Sequence, residues 1–243
     1  MKYLLSLLLI LFCLEGQSQQ IKFGFKGNLG LTFSGNQFSS LDQSSYMSIP
    51  QLSFGVEFPV YFRLNKVLWL RSGIGLQNKN FRVGLSSVAQ SALPVKGLIR
   101  VGIDAYAIQL PLIFCVQPKG NENLMLELGM LFARYDPTSQ VASSGVTPFV
   151  DDQEIQGVEL NAPPTDFEIS YLPELYAAFS YFLPTQNRLR QQLQLSFEYA
   201  LRPGSSINFT GEVFTDNADF PFSANFQSQF STLKFSYTIF PFW

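Results

Sequence analysis

The feature that most constrains the fold is a strict alternation of apolar and polar residues along eight segments of the chain. In one segment, seven alternate positions from Leu52 to Leu64 are apolar, whereas Gln51, Ser53 and Glu57 occupy the other set. Because successive side chains of a strand point to opposite faces, this period of two predicts β-strands with one apolar face. The eight predicted strands lie at about 22–34, 51–64, 67–80, 103–117, 124–132, 167–183, 189–201 and 230–243.

The connections between these strands alternate in length. Short turns are predicted near 65–66, 118–123 and 184–188, and long loops near 35–50, 81–102, 135–166 and 202–229. Short turns at one end and long loops at the other are typical of antiparallel barrels in bacterial outer membranes. With an even number of strands, both chain ends fall on the short-turn, periplasmic side.

Alternation alone also fits a soluble, lipocalin-like barrel with an apolar interior. The predicted strands, at about 11 to 14 residues, match a tilted membrane crossing better than the usual five or six of soluble sheets. Their polar faces carry charges, which an apolar ligand cavity would not accommodate without partners. The sequence therefore predicts an all-β fold, an eight-stranded antiparallel up-and-down transmembrane β-barrel.

The two ends of the chain carry export features. Lys2 precedes an apolar run at 3–14, and the small residues Gly16 and Ser18 follow it, as in a cleaved secretory signal. We expect a signal peptide at 1–18 and an outer-membrane barrel domain at 19–243. The run is too short to span a bilayer as a helix. At the other end, a predicted assembly signal comprises Phe235, Tyr237, Ile239 and Trp243.

Two short motifs resemble a known group of proteins. Phe25-Lys26-Gly27-Asn28-Leu29-Gly30-Leu31 and Tyr106-Ala107-Ile108-Gln109-Leu110-Pro111-Leu112 are similar to segments of the PorT-like outer-membrane β-barrel family. The layout also resembles small eight-stranded barrels of the OmpA and OmpX type. The resemblance implies the fold and the outer membrane as compartment. One namesake of the family is implicated in protein secretion, but no residue here carries that role over.

Charges of both signs occupy the face that is predicted to point into the barrel. The basic residues are Lys22, Lys26, Arg63, Arg71, Lys79 and Lys234, and the acidic residues are Glu57, Asp104, Glu127, Glu168, Glu174 and Glu198. Side chains alone fill the interior of an eight-stranded barrel. We expect these charges to pair into a structural network that plugs the lumen. A narrow channel for small solutes remains the alternative, although selective pores usually carry an excess of one sign.

Several classes of chemistry are not expected. Known outer-membrane hydrolases use histidine for proton transfer, and this chain has none, so we predict no enzymatic activity. Cys13 lies in the predicted signal, which leaves Cys115 for an apolar filling role and excludes an internal disulfide. No cofactor or metal site is predicted. Because the net charge of −2 comes with scattered basic residues, nucleic acid is not an expected partner.

The expected partners are outer-membrane lipid, the barrel-assembly machinery and a protein at the extracellular loops. The third loop carries the acidic group Asp151, Asp152 and Glu154, which lacks the spaced ligands and the glycine of a calcium loop. A solvated loop is the preferred interpretation. The fourth loop contains five phenylalanines, which favours a hairpin that extends above the membrane. Within the strands, we expect bulges or slips near Trp69, Pro173 and Pro241, and Trp69 faces inward.

Overall fold

A computed structural model describes residues 20–38, 46–85, 95–96, 99–144, 149–150, 153–160, 170–184, 189–202, 206–215 and 219–241. Within these ranges, every regular element is a β-strand. None of the described residues belongs to a helix that is long and apolar enough to cross a membrane.

The described residues form fifteen strands, numbered in chain order. They are β1 (Ile21–Phe23), β2 (Phe25–Phe38), β3 (Tyr46–Ile49), β4 (Gln51–Arg63), β5 (Leu68–Asn78), β6 (Phe81–Leu85), β7 (Val95–Lys96), β8 (Ile99–Val116), β9 (Leu124–Ser144), β10 (Phe149–Val150), β11 (Gln153–Leu160), β12 (Ser170–Leu183), β13 (Arg190–Ala200), β14 (Ser206–Thr215) and β15 (Asp219–Phe240).

Eight strand paths close into an antiparallel barrel. The order is β1 and β2 together, then β4, β5, β8, β9, β12, β13 and β15. The sheet closes because β15 pairs with β2, from Phe25 opposite Ile239 to Phe38 opposite Phe226. The predicted strand number and antiparallel architecture are confirmed.

The short turns follow from local sequence. Asn65 stabilises the turn of the β4–β5 hairpin, because its Oδ1 accepts hydrogen bonds from the backbone N–H groups of Val67 and Leu68, both at 2.8 Å. This side-chain mimic of a backbone turn is the usual reason for asparagine at such positions. In the β8–β9 turn, Gly120 has a φ of 84°, which favours glycine.

The loop ends of several strands extend further than predicted. β9 continues to Ser144, and β15 already begins at Asp219, within regions predicted as loops. β14 pairs with β15 and β11, and the sheet continues through β10 to β7. The extension of β9 lacks a sustained two-residue alternation, so the sequence pattern did not reveal it. The aromatic fourth loop therefore contains a hairpin, as predicted, and the third contains strands where a loop was expected.

Gly73 relieves crowding in the barrel wall. It pairs with Pro59 on β4, and its φ of 143° is one that other residues rarely adopt. A Cβ at this position would lie 2.3 Å from the carbonyl oxygen of Phe58. On its other side, the β5–β8 ladder is interrupted opposite Pro111, which has no N–H to donate.

The irregularities expected at two positions are absent. β12 pairs with β9 without a shift across Pro173, and Trp69 pairs in register with Arg63 and Cys115. Pro173 is tolerated because it lies where the β12–β13 ladder ends, and its carbonyl accepts a bond from Leu201 N at 2.9 Å. The register instead shifts between Asp104 and Ala105. Pro241 follows the end of β15.

The two faces of the wall differ sharply. Outward positions carry large apolar side chains that are about half exposed, such as Phe54 at 55%, Leu128 at 65% and Phe235 at 53%. Inward positions are buried, and many are polar or charged. Since water would not be a favourable solvent for such an outer belt, the barrel is built to be surrounded by lipid.

Closure of the barrel can be tested by cross-linking its first and last strands. We predict that Leu31→Cys with Leu233→Cys, in a Cys115→Ala background, forms a disulfide on mild oxidation, because the two positions are directly paired. The readout is a gel shift that reduction reverses. Leu31→Cys with Leu128→Cys, on opposite walls, is the control and should not cross-link; absence of the first bridge would contradict closure.

The outer belt can be tested by placing a charge in it. Leu128→Arg should destabilise the barrel in lipid vesicles by about 2–4 kcal/mol, because the guanidinium must enter hydrocarbon. Asp136→Arg, at an exposed and already charged position on the same strand, is the matched control and should have little effect. Urea unfolding in vesicles measures both variants, and equal stabilities would argue against lipid contact at Leu128.

Candidate functional site in the barrel interior

An apolar layer closes the interior near the short turns. Its buried members are Tyr61, Trp69, Ile113, Cys115, Met125, Phe182 and Phe240. Tyr61 and Phe240 pack with ring centroids 5.5 Å apart, and Phe182 and Phe240 with centroids 6.0 Å apart. On their strands these side chains lie closer to the short turns than the charged side chains of the two ionic clusters described below. The layer therefore separates the two ionic clusters of the interior from the short-turn end.

Arg71 is the centre of a lower ionic cluster, which comprises Lys26, Glu57, Arg71 and Glu127. Its Nη2 donates to the two oxygens of Glu57 at 2.5 and 2.7 Å, and its Nε donates to Glu57 Oε1 at 3.0 Å. Nη1 donates to Glu127 Oε2 at 2.5 Å. Lys26 Nζ lies 3.2 Å from Glu57 Oε2. Two cations thus face two carboxylates, all buried.

Neutral side chains complete the lower cluster. Arg71 Nη1 also donates to the hydroxyl of Tyr176 at 2.9 Å, and that hydroxyl donates to Gln194 Oε1 at 2.9 Å. Glu127 Oε1 accepts from Ser180 Oγ at 2.7 Å and from Gln194 Nε2 at 2.6 Å. Both carboxylate oxygens of Glu127 are therefore bonded, which a buried anion requires.

An upper ionic cluster comprises Lys79, Glu174, Glu198 and Lys234. Lys79 Nζ donates to the two oxygens of Glu174 at 2.7 and 2.9 Å and lies 3.1 Å from Glu198 Oε2. Lys234 pairs with Glu198 Oε1 and donates to Gln77 Oε1 at 2.9 Å. This cluster is also neutral.

The clusters tie opposite walls together. Lys79 follows β5, whereas Glu174 is on β12 and Glu198 is on β13, which lies across the barrel from β5. Above the upper cluster, Tyr135 donates to Glu174 and stacks on Phe230, with centroids 5.4 Å apart. Aromatic groups therefore bound the eight charges on both sides. In such surroundings ion pairs are screened little, and an unpaired charge would be costly.

One side of the interior carries small polar residues instead. Asn28, Gln192, Ser196, Ser236 and Thr238 lie on β2, β13 and β15. Each has a buried polar atom without a hydrogen-bond partner in the described part of the chain. We call these five residues the polar strip. Because buried polar groups normally find partners, the strip is suited to internal water.

The residues that were predicted to face inward lie at different levels of the barrel. Lys26, Glu57, Arg71, Lys79, Glu127, Glu174, Glu198 and Lys234 form the two clusters. Lys22 and Arg63 lie below the apolar layer, at the mouth between the short turns. Asp104 is half-buried beside the register shift and belongs to neither cluster. Glu168 lies outside the described residues, and so does Trp243; Phe235 and Tyr237 face outward.

Sequence reasoning missed the neutral members of the network. Gln109 also belongs to the network, since its Nε2 donates to Glu174 Oε2 at 3.1 Å. Tyr176 lies on the same strand face as Glu174, and Gln109 on the same face as Ile113, so the alternation indicated that both point inward. Tyr135 was missed because strand β9 was predicted to end before it. Which cation meets which carboxylate depends on how the strands are staggered around the barrel, and local alternation does not encode this.

Charge balance in the lower cluster gives a testable stability prediction. Arg71→Met should cost about 3–5 kcal/mol, because two buried carboxylates lose their main partner. Arg71→Met with Glu127→Gln returns the cluster to neutrality and should be less destabilised than the sum of the two single changes. Urea unfolding in vesicles gives the four free energies of the cycle. Arg202→Gln, an exposed site, is the control, and simple additivity would contradict the network.

In comparisons with known proteins, this chain is similar to solved structures of outer-membrane barrels. No family model matches the sequence, and no curated protein matches it significantly. The outer membrane protein OprG from Pseudomonas aeruginosa is 12% identical, with coverage of 90% of this chain and 96% of that chain and a TM-score of 0.40. Ail of Yersinia pestis is 13% identical, with coverage of 89% and 99% and a TM-score of 0.31. Neisserial surface protein A is 10% identical, with coverage of 90% and 98% and a TM-score of 0.36. At these values the similarities carry no argument about activity.

Proposed function

We propose that this chain is a non-enzymatic barrel of the bacterial outer membrane, with a lumen plugged by the two ionic clusters. Its activity then resides in the extracellular loops, in structural, adhesive or secretion-associated interactions. The observation that carries the proposal is the neutral network of eight buried charges inside an apolar outer belt.

The plug follows from the size and contacts of the interior groups. An eight-stranded barrel leaves little room beyond its own side chains. Arg71 and Lys79 each reach from the β5 side to carboxylates on other walls, so they cross the path that an ion would take. The apolar layer lies between the clusters and the short-turn end of the barrel. A permeating ion would have to displace both, at the cost of leaving charges unpaired.

The same contacts argue against catalysis in the lumen. Glu57, Glu127, Glu174 and Glu198 each pair with lysine or arginine. A buried carboxylate whose oxygens are engaged by lysine or arginine is not free to contact a substrate. Together with the absence of histidine, this favours a structural role for the acids.

Interaction through the loops is supported by the extended strands. β8 and β9 remain paired as far as Ile99 and Ser144, and β14 and β11 add a sheet beside β15. Such a sheet offers strand edges and a broad surface to a partner. The motifs at 25–31 and 106–112 support membership of the PorT-like family, in which a link to secretion is known. That membership is part of the proposal.

Sequence features near both ends of the chain support delivery to the outer membrane. The apolar run at 3–14 would direct export, with cleavage near residue 18. Phe235, Tyr237 and Ile239 alternate along the last strand, and Trp243 continues their register, so this end would be recognised by the barrel-assembly machinery. The outer belt would then contact membrane lipid.

A narrow channel for small solutes is the second candidate. The polar strip favours it, because a row of water-binding groups along β2, β13 and β15 is the kind of lining that a thin water path needs. Against it, these atoms are closed off from solvent, and the apolar layer covers the short-turn end.

Planar bilayer recordings decide between plug and channel. We predict that the purified barrel, once inserted, shows no reproducible ion-selective openings. Insertion is verified separately by the shifted gel mobility of the unheated barrel from the same vesicles. Reproducible openings whose selectivity changes in Ser236→Asp, on the polar strip, would establish the channel instead.

A further inference from the structure

A cavity opens at the periplasmic mouth of the barrel, below the apolar layer. Its volume is about 520 Å³, and it is bordered by the β4–β5 and β8–β9 turns and by the starts of β1 and β13. Five basic side chains line it: Lys22, Arg63, Lys66, Lys119 and Arg190. Glu122 is the one acidic residue among the described lining residues. This concentration of positive charge occurs in a chain with a net charge of −2.

Aromatic rings hold the two guanidinium groups of the mouth in place. The Arg63 guanidinium lies 5.5 Å from the ring centre of Trp69, and that of Arg190 lies 4.3 Å from the ring centre of Phe182. Both rings belong to the rigid apolar layer. Arg190 also donates to the backbone carbonyl of Glu122 at 2.8 Å. Positions fixed in this way lower the entropy cost of binding an anion.

The mouth differs from the interior in its charge balance. Each ionic cluster above it pairs two cations with two carboxylates. In the mouth, five cations converge around space that is large enough for a small ligand. Mutual repulsion among them is relieved if a polyanion enters, and a concave low-dielectric wall strengthens the attraction. Among the described lining residues, basic side chains therefore outnumber acidic ones by five to one.

We propose that this mouth is a binding site for a phosphate-bearing anion. Arg63 already donates through Nε to Asn65 O at 3.2 Å and through Nη1 to Gln20 Oε1 at 3.3 Å. The remaining N–H donors of Arg63 and Arg190 would bind phosphate oxygens. Lys66 and Lys119 on the turns would add point charges. The phosphate belongs either to a soluble phosphate compound of the periplasm or to an anionic phospholipid headgroup of the inner leaflet.

Titration calorimetry with inorganic pyrophosphate, on the barrel in an uncharged detergent at low salt, tests the site. The variants are Arg190→Gln and the turn pair Lys66→Gln with Lys119→Gln, whose exposed positions should not affect folding. Arg202→Gln, exposed beyond the other end of β13, is the matched control.

A second arm compares vesicles of phosphatidylcholine alone with vesicles that also contain phosphatidylglycerol. In it, Trp243→Phe leaves Trp69 as the single tryptophan, and its emission reports on the cavity.

We expect saturable pyrophosphate binding that weakens roughly tenfold or more in Arg190→Gln and in the turn pair. In Arg202→Gln it should change by less than about twofold. If pyrophosphate fails to bind but phosphatidylglycerol shifts the Trp69 emission, and the same variants abolish that shift, the phosphate is that of a lipid. No response to either probe, or an equal loss in Arg202→Gln, overturns the proposal.

Discussion

The pairing of Arg71 with Glu57 and Glu127 is the interaction on which the rest of the interior depends. A membrane barrel of this size turns its apolar side chains to the lipid and must fill its interior with the polar ones. Charges in that interior are tolerable only when each is paired and hydrogen-bonded. Arg71 meets this condition for two carboxylates on different strands, with Tyr176 as a third partner.

The same condition explains the layered arrangement of the interior. Apolar side chains near the short turns and the stacked pair of Tyr135 and Phe230 near the loop side separate the clusters from bulk water. Exclusion of water strengthens each ion pair and raises the cost of breaking one. Fixed charges within the barrel therefore act as cross-links between walls that backbone hydrogen bonds do not join directly. The mouth, where the described lining residues include five cations and one carboxylate, lies on the other side of the apolar layer.

The sequence predicted the fold well, because the period of two is a direct consequence of strand geometry. Eight strands, their order and their antiparallel pairing were predictable, and so was the inward direction of Glu57, Arg71 and Glu174. The pairing partners were not, because strand stagger brings together residues that are distant in sequence. The expected irregularity at Pro173 was wrong, since the lost N–H falls at a ladder end. The extension of β9 was missed, because the alternation fades beyond Tyr135, whereas the phenylalanines of the fourth loop indicated the hairpin of β14 and β15.

Because the proposed plug centres on Arg71, solvent exchange of its side chain is the most direct measure of the account. In the barrel reconstituted in lipid nanodiscs, NMR can follow exchange of the Arg71 Nε–H, assigned by its loss in Arg71→Lys. The account predicts that this proton exchanges far more slowly than the Nε–H of exposed Arg202, because it is bonded to Glu57 and shielded from water. Equal exchange rates for the two side chains would contradict a plugged barrel.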